Sequence, residues 1–352
     1  MFLAIKEIKH EKLRYGLIIG MVMLISYLVY VLSGLATGLA AQNTQAIDSW
    51  DLKSIALNKD ANVSLTQSLI NTEQSRNLDL SSKESYVGQT PVVVKLADHK
   101  SVSTQFIGIE NDSDIYQRIK LTEGHKVRNS NEIVADDSLK NSGYELGDEV
   151  KLSSSSDKFK LVGFTKNAKL NIAPVLYGEL TTWRSLRSLP ATFKASGVVS
   201  TDPNFKTHDD NLAVYSLKKF TVKLPGYNAQ NLTFTFMIAF LIIISMIVIA
   251  IFLYILTIQK LPNYGVLRAQ GIPARTLIIN TLTQALLIVA IGIIFGAVLT
   301  FITMKLLPAA VPIALDYASL AGVTGGMLLT GVIGSLIPIH LIRKVDPIQL
   351  IQ

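Results

Sequence analysis

Five histidines and no cysteine are the first facts that bear on chemistry in this chain of 352 residues. Without cysteine there are no disulfides, thiolate zinc sites, iron–sulfur clusters or cysteine nucleophiles. His99, His125 and His208 are far apart, and no HExxH pairs any two on one helical face for zinc. Each reads as a solvated surface histidine. His340 lies near the end of the last apolar run and reads as interfacial rather than as a ligand. The adjacent acids Asp136-Asp137 and Asp209-Asp210 diverge on a strand and on a helix alike, so neither forms a general acid–base pair. A GxSxG nucleophile elbow is absent. So is GxxxxGK[ST], whose amides, lysine and hydroxyl would cradle ATP phosphates and magnesium. The sequence therefore assigns no catalytic residue, no metal ligand and no permanently bound cofactor. Any ATP-derived energy must come from another polypeptide.

The elements around these residues are set by where charge is missing. Charged residues are 17% of the chain and hydrophobic ones 49%, sparser in charge than the roughly 25% of soluble domains. No Asp, Glu, Lys or Arg occurs in 15–47, 224–259, 276–304 or 317–342. Each interval exceeds the roughly 20 residues that cross a bilayer as a helix, the form that satisfies backbone groups in lipid. The expected spans are 17–39, 232–257, 277–303 and 319–341. The first begins basic and ends in small residues like a secretion signal, but its apolar stretch is too long, so it reads as an uncleaved anchor. Lys and Arg gather in 1–16, in 260–275 (Lys260, Arg268, Arg275) and after 342, whereas 41–230 holds 23 basic and 22 acidic residues. By the positive-inside rule the amphipathic 1–16 segment, the 260–275 loop and the 342–352 tail face the cytoplasm. Segment 40–230 and the 304–318 loop face outward. The net charge of +7 is thus an orientation signal and does not point to nucleic acid.

Segment 40–230 is long enough for a domain of its own. Strands are expected at Pro91–Leu96, Thr104–Glu110, Glu132–Ala135, Phe159–Thr165, Ala173–Leu180 and Leu212–Leu217, most bounded by Gly, Asn, Asp or Ser. Ser153–Ser156 and Asp202-Pro203-Asn204 read as turns, and polar 61–85 as a helix plus linker. The fold class expected is a polytopic α-helical membrane protein, four spans in one-plus-three order, with a large extracytoplasmic α/β domain.

Pro262 and Pro273 bracket about ten residues, enough for a short coupling helix. Val266, Leu267 and Ala269 give it an apolar side, Arg268 and Arg275 a basic one; a plain turn needs no exposed apolar face. Tyr264-Gly265-Val266-Leu267-Arg268-Ala269-Gln270-Gly271 resembles the xGxLKAxG signature of FtsX-like ABC permeases, and Val345-Asp346-Pro347-Ile348-Gln349-Leu350 resembles their xxDPxxxL ending. Asn131–Leu139, Gly147–Leu152 and Lys160–Phe164 resemble the MacB-type periplasmic core. Asn263 and Gln270 depart from the loop pattern, where an acid and an aliphatic are usual.

This resemblance implies a homodimer driven by two copies of a cytoplasmic ABC ATPase, in the cell membrane. Tyr264, Gly265, Val266, Leu267, Arg268, Ala269 and Gly271 would form the ATPase-coupling surface. Within the family, the first forty residues, together with Phe164–Asn167 and Pro174–Tyr177, resemble hemin-transport permeases of Gram-positive bacteria, implying haem as transported substrate. Tyr27, Tyr30, Trp50, Tyr227, Phe234, Phe236 and Met237 flank the outer ends of the first two spans. Their faces, oxygens and sulfur suit a flat iron macrocycle, and they equally suit an interfacial aromatic belt. Gly16/Gly20, Gly34/Gly38, Gly292/Gly296 and Gly322/Gly326 recur four apart and permit close helix approach, Gly34 and Gly38 along a dimer seam and Gly292 and Gly296 within the chain. The family also contains non-transporting activators of cell-wall hydrolases and exporters of lipopeptides or antimicrobial peptides, and these readings stay open.

Overall fold

The computed structural model describes residues 7, 11–96, 100–153, 155–308 and 311–343. His99, Ser154 and the 345–350 motif lie outside the described residues. The chain divides into two compact units, Met1–Gly38 with Gln230–Gln352, and Leu39–Ala229.

Among the described residues, four helices are long and apolar enough to cross a membrane, in the expected one-plus-three order. Helix α1 (Lys12–Ser49) runs on into the second unit. Numbering the second unit's four short helices α2 to α5, the remaining long ones are α6 (Tyr227–Ala269), α7 (Ala274–Leu306) and α8 (Tyr317–Gly334). Beyond Ser335, α9 (Leu336–Arg343) follows α8. At 1.5 Å per residue α1 and α6 are about 55–65 Å long, roughly twice the hydrocarbon core of a bilayer. Both passages of the chain between its two units fall inside these helices. The first unit's core joins Tyr15, Ile18, Val22 and Val29 of α1 to Ile249 and Leu253 of α6, Ile288 and Val289 of α7, and Met327 of α8.

Residues 260–269 differ from the expected separate coupling helix. They are the last turns of α6, which runs through Pro262. A single proline removes one N–H, here the partner of the Ile258 carbonyl, and the remaining bonds of a 43-residue helix carry it past. The chain turns instead at Gly271, whose φ of +89° suits glycine, and Pro273 precedes α7.

The second unit is rich in sheet. Its strands are β1 (Ser54–Asn58), β2 (Ile70–Asn71), β3 (Glu84–Lys95), β4 (Val102–Ile109), β5 (Leu121–Gly124), β6 (Glu132–Asp136), β7 (Glu149–Leu152), β8 (Lys158–Thr165), β9 (Lys169–Leu170), β10 (Ala173–Glu179), β11 (Phe193–Ala195), β12 (Gly197–Ser200) and β13 (Leu212–Ser216). The main sheet runs β13-β1-β12-β3-β4-β10-β6-β8-β5. Most neighbours are antiparallel; β4 with β10 and β6 with β8 are parallel. All six expected strands are present, five of them displaced by no more than two residues at an end, while β3 begins seven residues before the expected Pro91. Helices α2 (Thr72–Arg76), α3 (Asp114–Arg118), α4 (Leu180–Leu186) and α5 (Leu217–Val222) are short. The helix expected within 61–85 is thus five residues long. It begins at a capping box, in which Asn71 accepts from the Gln74 amide at 2.8 Å and Gln74 from the Asn71 amide at 3.0 Å.

Successive strand residues point to opposite faces, and this separates two cores. Ile107 and Tyr177 belong to a cluster with Trp50, while their neighbours Phe106 and Leu176 belong to one with Trp183 and Phe164. The paired acids serve the fold: buried Asp136 accepts from the amides of Ser138 and Ala168, at 3.0 and 2.9 Å, and Asp209 from Asn211 and the Asn77 side chain.

Candidate functional site

Two regions of the membrane unit bring sequence-selected residues together. The first is a groove between α1 and α6, lined by Leu28, Val31 and Leu32 on one side and Thr233, Phe236, Met237, Phe240 and Leu241 on the other. Its volume is about 750 Å³, within the range of pockets that hold small organic ligands. Positions 28, 31 and 32 and positions 233, 236, 237, 240 and 241 follow helical spacing, so each set is one stripe. No charged side chain lines the groove. Phe236, Met237 and Phe240 are 56%, 43% and 61% exposed, so apolar faces and a thioether stand open to whatever surrounds the unit.

The other aromatic candidates are placed differently. Tyr30 is buried, its hydroxyl 2.7 Å from Thr324 Oγ1 of α8. It borders a smaller cavity of about 260 Å³ with Phe301, Met304 and Leu320. The Tyr27 hydroxyl accepts from Thr303 Oγ1 at 3.2 Å. Phe234 is half-buried and lies outside the groove lining. Trp50 and Tyr227 belong to the second unit. Trp50 is fully buried, its indole N–H donating to the Tyr177 hydroxyl at 3.2 Å with the rings edge to face, so its faces are taken by the domain core. The same burial pushes the Tyr177 hydroxyl pKa up. Tyr227 packs against that core. His125 pairs through Nδ1 with the Lys126 carbonyl at 2.8 Å, and His208 and His340 are exposed. Among the described residues no group of three His, Asp or Glu is arranged to hold a metal.

The second region lies at the other end of α6, around the expected coupling residues. Tyr264 and Gly265 are buried, and Leu267 packs with Tyr264, Leu277 and Ile342. Val266, Ala269 and Gly271 are exposed and Arg268 is half-buried. Helical spacing thus splits the motif into an inward half that fastens α6 to α7 and α9 and an outward half open to a partner.

One turn before Tyr264 is a group the sequence reading counted only as a loop charge. Lys260 is 8% exposed. Its ammonium donates to Glu7 Oε2 and to the Tyr15 hydroxyl, each at 2.9 Å. Tyr15 donates on to Gln284 Oε1 at 3.1 Å, and Gln284 Nε2 donates to Glu7. This closed ring ties α1, α6 and α7 to the segment before α1. A buried ammonium is tolerated only when paired and hydrogen-bonded in this way. The polar residues inside apolar runs, Gln284 and Asn280, were the signal that could have found it.

The small-residue pairs also separate. A Cβ on Gly292 or Gly296 would lie 2.6 Å from the Val22 side chain or 2.7 Å from Ser26, so both are required where α7 meets α1. Gly34 and Gly38 do not form an open dimer seam. The chain's own 312–314 segment fills that face, with the Ala314 amide donating to the Gly34 carbonyl at 3.0 Å and the Pro312 carbonyl against Gly38. Gly16 and Gly20 remain open.

Residues 235–347, which carry α7, α8 and nearly all of α6, match the model of the FtsX-like permease C-terminal family. Over that stretch the chain is similar to FtsX-like permeases, and among the described residues four helices are long and apolar enough to cross a membrane. Over its whole length the chain is similar to proteins of Staphylococcus epidermidis and Staphylococcus haemolyticus whose names mark them as candidate hemin transport system permeases, HrtB. Identity is 26% over 351 residues to the first and 25% over 354 to the second, covering all of this chain and 99% of each relative. Among solved structures it is similar to the periplasmic region of MacB from Actinobacillus actinomycetemcomitans, with a TM-score of 0.36 and 14% identity over 47% of this chain and 89% of that one. The extracellular domain of the transporter YknZ from Gram-positive bacteria gives 0.32 and 10% over 51% and 94%.

Proposed function

We propose that this chain is the permease subunit of an ABC transporter that moves hemin across or out of the cell membrane, as a homodimer driven by two copies of a separate cytoplasmic ATPase. The observation that carries this reading is the uncharged groove between α1 and α6, walled by Phe236, Met237 and Phe240. A substrate that enters from lipid needs an apolar, laterally open site, whereas a hydrophilic one crossing a pore would need polar lining. The full-length similarity to candidate hemin permeases supports the same substrate. Phe236 and Phe240 stack on the macrocycle and Met237 offers a thioether to iron. The exposed half of the coupling motif, Val266, Ala269 and Gly271 with Arg268 beside it, receives the ATPase. The basic character of 1–16, 260–275 and the C-terminal segment supports a cytoplasmic position for that surface and both termini.

The test is co-expression with an FtsX-class ATPase and purification through the permease. The expected result is a complex whose ATP hydrolysis rises with hemin and whose assembly is lost when Val266 and Ala269 become Asp. Hydrolysis indifferent to hemin rejects the substrate, and assembly indifferent to those changes rejects the coupling surface.

A further inference from the structure

Asn280 is 5% exposed, and among the described residues both its amide nitrogen and its amide oxygen are buried without a partner. Two unpaired polar atoms cost free energy that an apolar side chain would avoid. Asn280 sits beside a ring in which every group is satisfied. It lies four residues before Gln284 on α7, hence on the same face and about 6 Å along the axis. Helices α6 and α7 are antiparallel neighbours here. Lys260 meets Gln284 through Tyr15 and Glu7, and one turn further along α6 the Tyr264 hydroxyl bonds Thr281. Asn280 therefore stands where Lys260 would stand if α6 were drawn one turn along α7 in its own chain direction.

The carbonyl oxygen of an amide is a good acceptor for an ammonium, and a buried ammonium needs an acceptor throughout any movement. Packed helices move between discrete registers rather than continuously, one-turn steps among them. The turn joining α6 to α7 contains Gly271 in the left-handed region, the residue best able to absorb a change in backbone angles. The exchange moves the Lys260 stem with helix α6, releases the Tyr264–Thr281 bond and repacks Tyr264 and Leu267 against Leu277 and Ile342.

We infer that Asn280 is a second seat for the Lys260 ammonium, and that Lys260 steps from the Glu7–Tyr15–Gln284 ring to this seat when the partner ATPase pulls the Tyr264–Ala269 end of α6. The inference rests on the permease reading and adds to it a defined register change. Lys260 and Asn280 are positioning residues; neither touches the cargo.

The chain has no cysteine, so cysteines introduced at Ile258 and Ile279, 41% and 50% exposed, carry spin labels uniquely. Distances are measured in the lipid-reconstituted complex with its ATPase, at rest and trapped with ATP and vanadate, with hydrolysis recorded on the same samples. The expected result is a shift of the main distance between the two states, by up to about 5 Å, a helical turn. N280L holds the resting distance in both states. N280D, whose carboxylate pairs with the ammonium more strongly than the amide does, populates the shifted distance at rest. An unshifted distance in a hydrolysing complex overturns the inference and leaves the permease reading standing, as does an N280L complex that shifts like the parent. Failure of any ATPase to pair with the chain overturns both.

Discussion

The two ends of α6 are built on opposite principles. At Phe236 and Met237 the helix offers exposed apolar faces to an open groove with no charged lining. At Lys260 it buries an ammonium inside a closed hydrogen-bonded ring. The first arrangement binds loosely whatever is flat and apolar, since burial is non-directional. The second has one geometry, since Lys260, Tyr15, Gln284 and Glu7 each bond a named neighbour in the ring, and it fixes α1, α6 and α7 relative to one another. In the proposed mechanism cargo enters at the permissive end and force at the specified end, with one continuous helix between them.

The comparison can be broken most severely at the ring. Glu7→Ala leaves the buried ammonium with neutral partners only and should destabilise the membrane unit by about 3–5 kcal/mol, as broken buried pairs do. Thermal unfolding in lipid or detergent checks this. Lys260→Met together with Glu7→Gln should recover most of that loss. If Glu7→Ala unfolds like the parent protein, the ring is not structural. The glycines come next. Gly296→Leu drives a Cβ within 2.7 Å of Ser26 and should cost about 1–3 kcal/mol, whereas Gly20→Leu, with nothing within 4 Å, should leave the monomer's melting temperature unchanged. Equal effects of the two would contradict the placement of α1 against α7. At the groove, Phe236→Ala with Met237→Ala should weaken hemin binding at least tenfold with little loss of stability, because both side chains are exposed. Smallest of all, His208→Ala and Trp50→Phe should leave hemin affinity alone, although Trp50→Phe should cost stability of about 1 kcal/mol through the lost bond to Tyr177.

The four spans were legible because absence of charge over more than twenty residues has few other causes. Six strands were legible as β-rich runs bounded by turn residues, whereas β1, β2, β5, β7, β9, β11 and β12 were not. What escaped depends on contacts distant in sequence. Trp50 looked like an interfacial aromatic, and only Tyr177, 127 positions on, makes it a core residue. Lys260 ended a charge-free interval and so read as the start of a loop, because Glu7 is 253 positions away. Pro262 suggested a helix boundary, but one missing N–H is too small a loss to stop so long an apolar helix. Gly34 and Gly38 announced close approach correctly, while the approaching partner, the Pro312–Ala314 segment, carries no pattern of its own. The groove was half visible: Phe236 and Met237 were selected on one helix, but its other wall, Leu28, Val31 and Leu32, is indistinguishable in sequence from any lipid-facing stripe.

The central claim, a hemin site in the groove between α1 and α6, is tested most directly by titrating hemin into the lipid-reconstituted protein and following the Soret band. The account predicts saturable binding with one set of sites per chain, lost or weakened at least tenfold in the Phe236→Ala, Met237→Ala protein and unchanged in Trp50→Phe. Non-saturable partitioning, or saturable binding that the groove variant leaves intact, would contradict it.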